Sequence, residues 1–145
     1  MYSIGQIEDA IVARLKAQLT YLKTCDSLNE DLLGEIETLT IRPPAAYVIY
    51  NFGRYEHRTG VLDRFMEFLV ILMAKNLRGD RAARHGTGPE KGVYEMLDDA
   101  RKALTDQSCG LDIDPLLPGD EELIGGTKEM AAYGIRFKTR CRFMI

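Results

Sequence analysis

The stretch that decides the fold is Phe65-Met66-Glu67-Phe68-Leu69-Val70-Ile71-Leu72-Met73, most of whose residues are apolar. Apolar side chains would point in every direction here, whether the backbone is helical or extended, so the segment has to be buried. This pattern alone fits either a helix or a strand over residues 62–76. Upstream, Ala45 to Phe52 is rich in Tyr, Val and Ile, which is typical of a strand. A hairpin partner of that kind favours a central strand over residues 62–76.

The chain on the N-terminal side of this hairpin predicts helices. Ser3 and Gln6 have the spacing of a capping box. In this motif the hydroxyl and the side-chain amide accept hydrogen bonds from backbone N–H groups at the start of a helix. An apolar stripe at helical spacing follows, formed by Ile4, Ile7, Ile11, Leu15, Leu19 and Leu22. Residues 28–39 allow a second short helix, which the Pro43-Pro44 pair would end.

Three polar segments predict turns and loops. Gly53 and Gly60 bracket a polar stretch with the composition of a long hairpin turn. Residues 77–91 form a polar loop with several glycines, and long loops inside compact domains are usually functional or mobile. Residues 106–127 are acidic and rich in Pro and Gly, so we expect a second mobile loop there. The cations that stand out in the first of these loops are Arg78, Arg81 and Arg84.

The C-terminal third of the chain predicts a helix and a strand. From about residue 91 to residue 105, apolar residues line one side and charged residues the other, as in an amphipathic helix. From Tyr133 to Ile145, apolar and polar residues alternate, which is typical of a strand with one face in the core. The other face of that strand carries a row of four cations: Arg136, Lys138, Arg140 and Arg142.

Length and composition limit the class of protein. A chain of 145 residues with 46% hydrophobic and 28% charged residues suits a single domain over residues 1–145 with its own core. The longest uninterrupted apolar run, Phe68 to Ala74, is far shorter than the roughly 20 residues that cross a bilayer. No secretory signal opens the chain. We therefore expect no membrane partner and a location in the cytoplasm.

The charge is distributed in blocks that the net value of −3 hides. The blocks carry −4 over residues 1–37, +4 over 38–91, −7 over 92–127 and +4 over 128–145. Solvated faces explain such blocks without any partner. They also fit a protein with one basic and one acidic surface, which binds copies of itself head to tail or meets a different partner at each end.

The sequence lacks the patterns of catalytic, metal and phosphate sites. There is no G-x-S-x-G nucleophile turn and no phosphate-binding glycine loop. Asp112 and Asp114 begin like a calcium loop, but no Glu closes it. The remaining candidates are scattered: His57, His85, Cys25, Cys109 and Cys141. We therefore predict that the protein is not an enzyme and needs no cofactor or metal.

Nucleic-acid binding is the alternative function that the residues leave open. The basic loop and the cationic face of the last strand can contact phosphates, since this needs only positioned Lys and Arg. The acidic pI of about 5.4 and the lack of a base-reading motif argue against sequence-specific binding. An accessory protein that contacts nucleic-acid backbones through these cations remains the second hypothesis.

The order of these features resembles a family of small proteins of Mu-like prophages, encoded among the tail genes. The resemblance runs over nearly the whole chain and is most specific between Arg78-Gly79 and Gly92-Val93-Tyr94. The stretches that carry it are Pro43 to Tyr50, Phe65 to Asn76, Leu77 to Gly79, Ala82 to Gly86, Gly92 to Leu104 and Tyr133 to Phe143. None of these strings encodes chemistry, so the resemblance indicates kinship and not a mechanism.

This family is similar in size and element order to phage tail terminators, which form a hexameric ring at the head-proximal end of a long tail tube. Such a ring stops polymerisation of the tube protein and offers a surface to the head connector. The resemblance implies an α+β fold, with a small, mostly antiparallel sheet packed by two to three helices. It also implies the tail tube protein, the head-connector protein and further copies of the chain as partners, first in the cytoplasm of the bacterial host and then in the virion tail.

The resemblance directs attention to the two groups of cations. We expect that the loop of Arg78, Arg81 and Arg84 and the strand face of Arg136, Lys138, Arg140 and Arg142 supply ring interfaces or line the lumen. In the lumen they would make non-specific contacts with passing DNA. The alternative is that the strand cations only keep an edge strand soluble and unpaired.

Overall fold

The computed structural model describes residues 2–28 and 42–144 of the chain. Its helices are α1 (Ile4–Gln18), α2 (Asp80–His85) and α3 (Val93–Leu104), and its strands are β1 (Thr24–Ser27), β2 (Ala45–Arg58), β3 (Val61–Lys75), β4 (Leu117–Gly126) and β5 (Met130–Met144). The strands form one sheet in the order β1-β2-β3-β5-β4. Only β1 and β2 pair in parallel among these strands. This confirms an α+β fold with a mostly antiparallel sheet.

The deciding stretch is the central strand of the sheet, so the prediction of a strand over residues 62–76 is confirmed. β3 pairs with β2 on one side and with β5 on the other, antiparallel in both cases. Every residue from Phe68 to Ala74 is buried. Because β3 is covered on both faces and bonded at both edges, its side chains can be apolar at successive positions without regard to alternation.

The helices cover one face of the sheet, and both predicted amphipathic helices are confirmed. α1 begins with the expected capping box, in which the Ser3 hydroxyl accepts from the Gln6 backbone at 3.1 Å and the Gln6 side chain accepts from the Ser3 backbone at 2.8 Å. The helix faces of α1 and α3 meet even-numbered residues of β3 and odd-numbered residues of β5. The largest fully buried side chains of this core are Ile7, Ile11, Leu15, Phe68, Leu72, Met96, Leu104 and Phe137.

The opposite face of the sheet is divided into an apolar half and a charged half. The apolar half is a second buried cluster, to which Leu28, Ile124 and Met130 also contribute: Ala45, Tyr47, Ile49, Leu69, Ile71, Met73 and Ala132. The charged half lies toward the β2–β3 turn, where residues 52–58 of β2 are exposed. The change from apolar to charged therefore runs along the strands and not from one strand to the next.

The predicted turn between Gly53 and Gly60 is wrong. β2 continues to Arg58, and the chain turns only at Thr59 and Gly60, where Gly60 has a φ of +73°. A positive φ is easy for glycine and is required in tight hairpin turns. The polar stretch is strand because its backbone bonds to β3, from Arg54 opposite Phe65 to Arg58 opposite Val61. Its side chains are polar because this part of the ribbon extends into solvent.

The acidic segment also differs from the expectation. Its second half is β4, which pairs with β5 from Leu117 opposite Lys138 to Gly126 opposite Ala131. Two irregularities in the register, after Pro118 and after Leu123, hide the alternation that would have identified a strand.

The structure differs from the sequence prediction in two further segments, residues 77–91 and β1. Residues 77–91 contain α2, which is only six residues long, and an isolated bridge between Thr87 and Glu90. β1 was missed, since its four residues have no strand pattern and are held by parallel pairing with β2. The short helix predicted over 28–39 lies, apart from Leu28, outside the described residues. The mobility of residues 77–91 and 106–127 stays a prediction.

Candidate functional site

The charged half of the sheet face opposite the helices is here called the ionic face, and the strand register determines which residues form it. Residues directly opposite each other in neighbouring strands point to the same side of the sheet. Asp63 of β3 lies opposite Arg142 of β5, and Glu67 lies opposite Lys138. The ionic face comprises Arg54, Glu56 and Arg58 of β2, Asp63, Phe65 and Glu67 of β3, and Arg136, Lys138, Arg140 and Arg142 of β5.

Asp63 is the centre of the ionic face. Its side chain is only 3% exposed, and its carboxylate accepts from Arg142 at 2.7 and 3.3 Å and from Arg58 at 2.8 Å. Arg140 lies 4.0 Å away. The hydrogen bonds from Arg142 and Arg58 lower the pKa of Asp63 from its ordinary value of 3.8 to about 2. One buried acid thus holds arginines from β2 and β5 across the central strand.

Replacing Asp63 with asparagine should remove an acid-sensitive part of the stability. The folded pKa of about 2 lies below the ordinary 3.8, so the carboxylate stabilises the fold fully above pH 3.8 and loses this effect as the pH falls toward 2. We therefore expect Asp63→Asn to lower the urea midpoint clearly at pH 6 and much less at pH 2.5. Urea unfolding of both proteins at the two pH values measures this.

A matched control for this variant is Asp112→Asn. Asp112 is exposed and makes no ion pair with any residue that the structure describes. Its replacement should leave the urea midpoint nearly unchanged at both pH values. A difference between wild type and Asp63→Asn that does not shrink on acidification would contradict the assignment of Asp63 as a charged anchor.

The predicted row of cations on β5 exists, but most of it is neutralised. Arg136 contacts Glu67 at 3.2 Å and Glu122 at 2.6 Å, and Arg140 contacts Asp114 at 2.9 Å. Within residues 2–28 and 42–144, Lys138 is the member of the row without an ion pair. The row of four cations is therefore confirmed as a row on one strand face, and its role in an interface or lumen stays a prediction. The missing signal was the acidic residues on the same face of β3, which only a known register could align with β5.

The second predicted group, around α2, is also only partly free. Arg84 contacts Asp80 at 3.1 Å and donates to the Tyr94 hydroxyl at 3.3 Å, and this hydrogen bond lowers the pKa of Tyr94. Arg78 and Arg81 are exposed and form no ion pair with any described residue. Arg84 therefore anchors α2 to α3, while the charges of Arg78 and Arg81 are not neutralised by any acid in the described part of the chain.

The structure does not bring the two groups of cations together. α2 packs through Ala83 into the core on the helix-covered face. The cations of β5 lie on the opposite face, in register with Asp63 and Glu67. A single flat surface cannot contain both groups. They are two separate candidate surfaces.

A cleft that the sequence did not reveal lies beside α2, and we call it the basic cleft. It has a volume of about 740 Å³ and lies where β1 and β2 begin and β3 ends. Four exposed cations line it. Lys91 pairs with Asp99 at 2.9 Å, whereas Lys23, Lys75 and Arg78 have no ion pair among the described residues. Lys23 is far in sequence from Lys75 and Arg78, so no local pattern could have grouped it with them.

Among the described residues, the histidines and cysteines do not come together in a recognisable catalytic group. His85 packs edge-on against the ring of Tyr94, with 5.3 Å between centroids. Burial raises the pKa of Cys25 and of Cys109, which lowers the reactive thiolate fraction of both. No described helix is long and apolar enough to cross a bilayer.

Comparison with known proteins shows to which family the chain is related. The family model described as Bacteriophage Mu, Gp37 matches residues 3–142, from the capping residue of α1 to near the end of β5. No curated protein matches the chain. The match includes all of the other helices and strands and β5 as far as Arg142, and it confirms the resemblance to proteins of Mu-like phages. The chain belongs to the Bacteriophage Mu Gp37 family.

Proposed function

We propose that the chain is a tail terminator or tail-completion subunit, which caps the tail tube and contributes to head–tail joining. Family membership supports the broader statement that it is a structural or assembly protein of a phage. In this proposed role, copies of the chain form a hexameric ring, and the ring binds the tail tube protein and the head-connector protein. The subunit would be made in the cytoplasm of the bacterial host and end in the virion tail. The proposal assigns no catalysis.

The observation that carries this proposal is the distribution of exposed apolar side chains. Among the described residues they lie in three regions, namely the outer part of the β2–β3 ribbon with the end of β5, on both faces of the sheet, the corner after β3, and the outer strand β4. The residues are Phe52, Tyr55 and Met144 in the first, Leu77 in the second, and Leu117 and Leu123 in the third. A ring subunit that meets two neighbours, the tube and the connector needs several separate contact surfaces. A protein with one binding partner needs only one.

Deleting the gene in a phage that carries this chain tests the role directly. A missing terminator leaves tube polymerisation unchecked, so we expect tails of irregular, excessive length and full heads without tails. Electron microscopy of induced lysates measures both, and supplying the gene in trans should restore particles of normal length. Tails of normal length joined to heads in the deletion strain would overturn the proposal.

Reversing the charge of Arg81 should specifically impair assembly. Arg81 is exposed on α2 and has no ion pair among described residues, so Arg81→Glu leaves the fold intact and reverses the charge that a partner meets. We expect at least about a tenfold loss of joined particles, since a like charge at an interface is costly. Plaque counts and electron microscopy measure it.

The matched control for Arg81 is Lys16→Glu. Lys16 is also an exposed helix cation, near the end of α1 and away from α2. Its reversal should leave joining near wild type. Equal yields of joined particles from the two variants would show that α2 is not part of the interface.

The nucleic-acid hypothesis keeps one supporting observation, the unpaired cations of the basic cleft. A protein that works on phosphate backbones should shift DNA in a gel, and the affinity should fall steeply between 50 and 200 mM salt, which is roughly the range where released counterions act. For a terminator we expect weak binding or none. Tight, strongly salt-dependent binding would favour an accessory protein.

A further inference from the structure

We propose that the basic cleft of one subunit receives β4, the acidic outer strand, of a neighbouring copy. This contact rests on the proposed ring and identifies which two surfaces close it. It commits the cleft to a second copy of this chain. DNA is the other candidate occupant, and the experiment below distinguishes the two.

The first half of the contact is β4. It pairs only with β5 among the described strands, so its outer edge faces away from the sheet. Asp120 and Glu121 are exposed and have no ion pair with any described residue. Leu117 and Leu123, on either side of them, are 58% and 67% exposed. Two exposed leucines thus flank two acids that have no ion pair among the described residues, all of them on the outer strand.

The second half is the basic cleft, whose chemistry is the complement of this edge. Lys23, Lys75 and Arg78 supply positive charge that no described acid neutralises. Prolines and the 81% exposed Leu77 supply apolar surface between them. Glu90, the one acid among the described lining residues, is already engaged, since its carboxylate accepts from the buried amide of Asn76 at 3.0 Å.

The positions of the two halves suit a ring. The cleft opens where β1 and β2 begin, and β4 is the outer strand at the other side of the sheet. β2 and β4 are three strand spacings apart, about 14 Å at the usual spacing of nearly 5 Å. A contact between two different surfaces of a subunit is heterologous, and such contacts generate rings when the rotation closes.

The same features explain why the contact is made by side chains and not by extending the sheet. β4 has irregular register after Pro118 and after Leu123, which leaves only a short regular stretch of backbone. Bulges, proline and charges on an edge strand oppose strand addition. The free acids and leucines of β4 still protrude, and a cleft is the shape that receives them. The leucines of an acidic strand can also pack against the prolines and Leu77 of the cleft, whereas a phosphate backbone has no apolar groups to cover them.

Three variants of the full chain test the contact. Lys75→Glu with Arg78→Glu reverses the cleft, and Asp120→Lys with Glu121→Lys reverses the edge. The third variant carries all four substitutions, so that the charges are complementary again with exchanged signs. Light scattering over a concentration series, on the purified chain and on the chain with tail tube protein, measures the oligomer. Circular dichroism controls for folding.

We expect each double variant to weaken self-association at least about tenfold, and the fourfold variant to regain most of it. If either double variant assembles like wild type, the cleft–edge contact is wrong while a ring made through other surfaces still stands. If both lose assembly and the fourfold variant does not regain it, the two surfaces do not meet. If reversing the cleft abolishes DNA binding and leaves the oligomer unchanged, the occupant is nucleic acid. A wild-type chain that stays monomeric in both preparations would overturn the contact and the ring together.

Discussion

Replacing Phe68 with alanine should destabilise the fold by about 3–5 kcal/mol, the usual loss for a large aromatic side chain removed from a core. Phe68 has no exposed surface and lies in the central strand, opposite Phe137 of β5. On the other side its ring packs against Tyr50, with 5.4 Å between centroids. The cavity cannot close easily, because both neighbouring strands hold β3 in register. Urea unfolding of both proteins, followed by circular dichroism, measures the loss.

Phe52 offers the matched control within the same hairpin. It is also a phenylalanine in a strand of this sheet, but it is 55% exposed. Phe52→Ala should change the free energy of unfolding by less than about 0.5 kcal/mol, which is typical of surface positions. If the two variants were destabilised equally, β3 would not be the buried centre of the sheet. Phe52→Ala is also informative for assembly, since any loss there cannot be attributed to the fold.

Replacing Gly92 with alanine should destabilise the junction between α2 and α3. A Cβ atom at Gly92 would collide with backbone atoms of Arg84, His85 and Gly86. Backbone cannot move aside as a flexible side chain would, so α2 or α3 has to shift. We expect a loss of about 1–3 kcal/mol, as for an overpacked core. Urea unfolding measures it, and the exposed Arg81 on α2 should be displaced with the helix.

Gly125→Ala is the control for this substitution. A Cβ atom at Gly125 has no neighbour within 4 Å, and the residue has no positive φ. Its replacement should leave stability unchanged or raise it slightly, since alanine restricts the unfolded chain. Equal losses at the two glycines would show that Gly92 is not confined by the end of α2.

The elements that were predicted correctly are those whose signal is local. α1 carries a capping box and four buried positions at helical spacing, so neighbouring residues determine it. β5 alternates strictly, and its burial follows the alternation from Ile135 to Cys141. Both patterns arise because one side of the element meets a core and the other meets solvent. Such patterns are visible without knowing what the core is.

The elements that were missed depend on distant partners. β1 is held by pairing with residues about twenty positions away, and its own four residues carry no strand pattern. β4 is a strand because β5 bonds to it, and its irregular register conceals the alternation. The extension of β2 past Gly53 is likewise set by β3. Backbone hydrogen bonding between distant segments determined these three, and backbone groups are the same in every sequence.

The candidate site shows the same division. Sequence alternation placed Arg136, Arg140 and Arg142 on one face of a strand, and the structure confirms that placement. It could not show that Asp63 and Glu67 lie on the same face and neutralise them. Nor could it group Lys23, Lys75 and Arg78 in one cleft.

The α+β fold class came from the resemblance to a known family. The sequence pattern by itself determined the burial of residues 62–76, the two long helices and the alternation of the last strand. Hydrophobic periodicity suffices for these, since burial is imposed on each segment separately. Only the tertiary structure decided which charges are free. An ion pair depends on the distance between two side chains, and strand register sets that distance across gaps of up to 79 residues in the ionic face. The charge blocks along the chain therefore pointed to the surface, and the folded structure shows which of the cations have an acidic partner among the described residues.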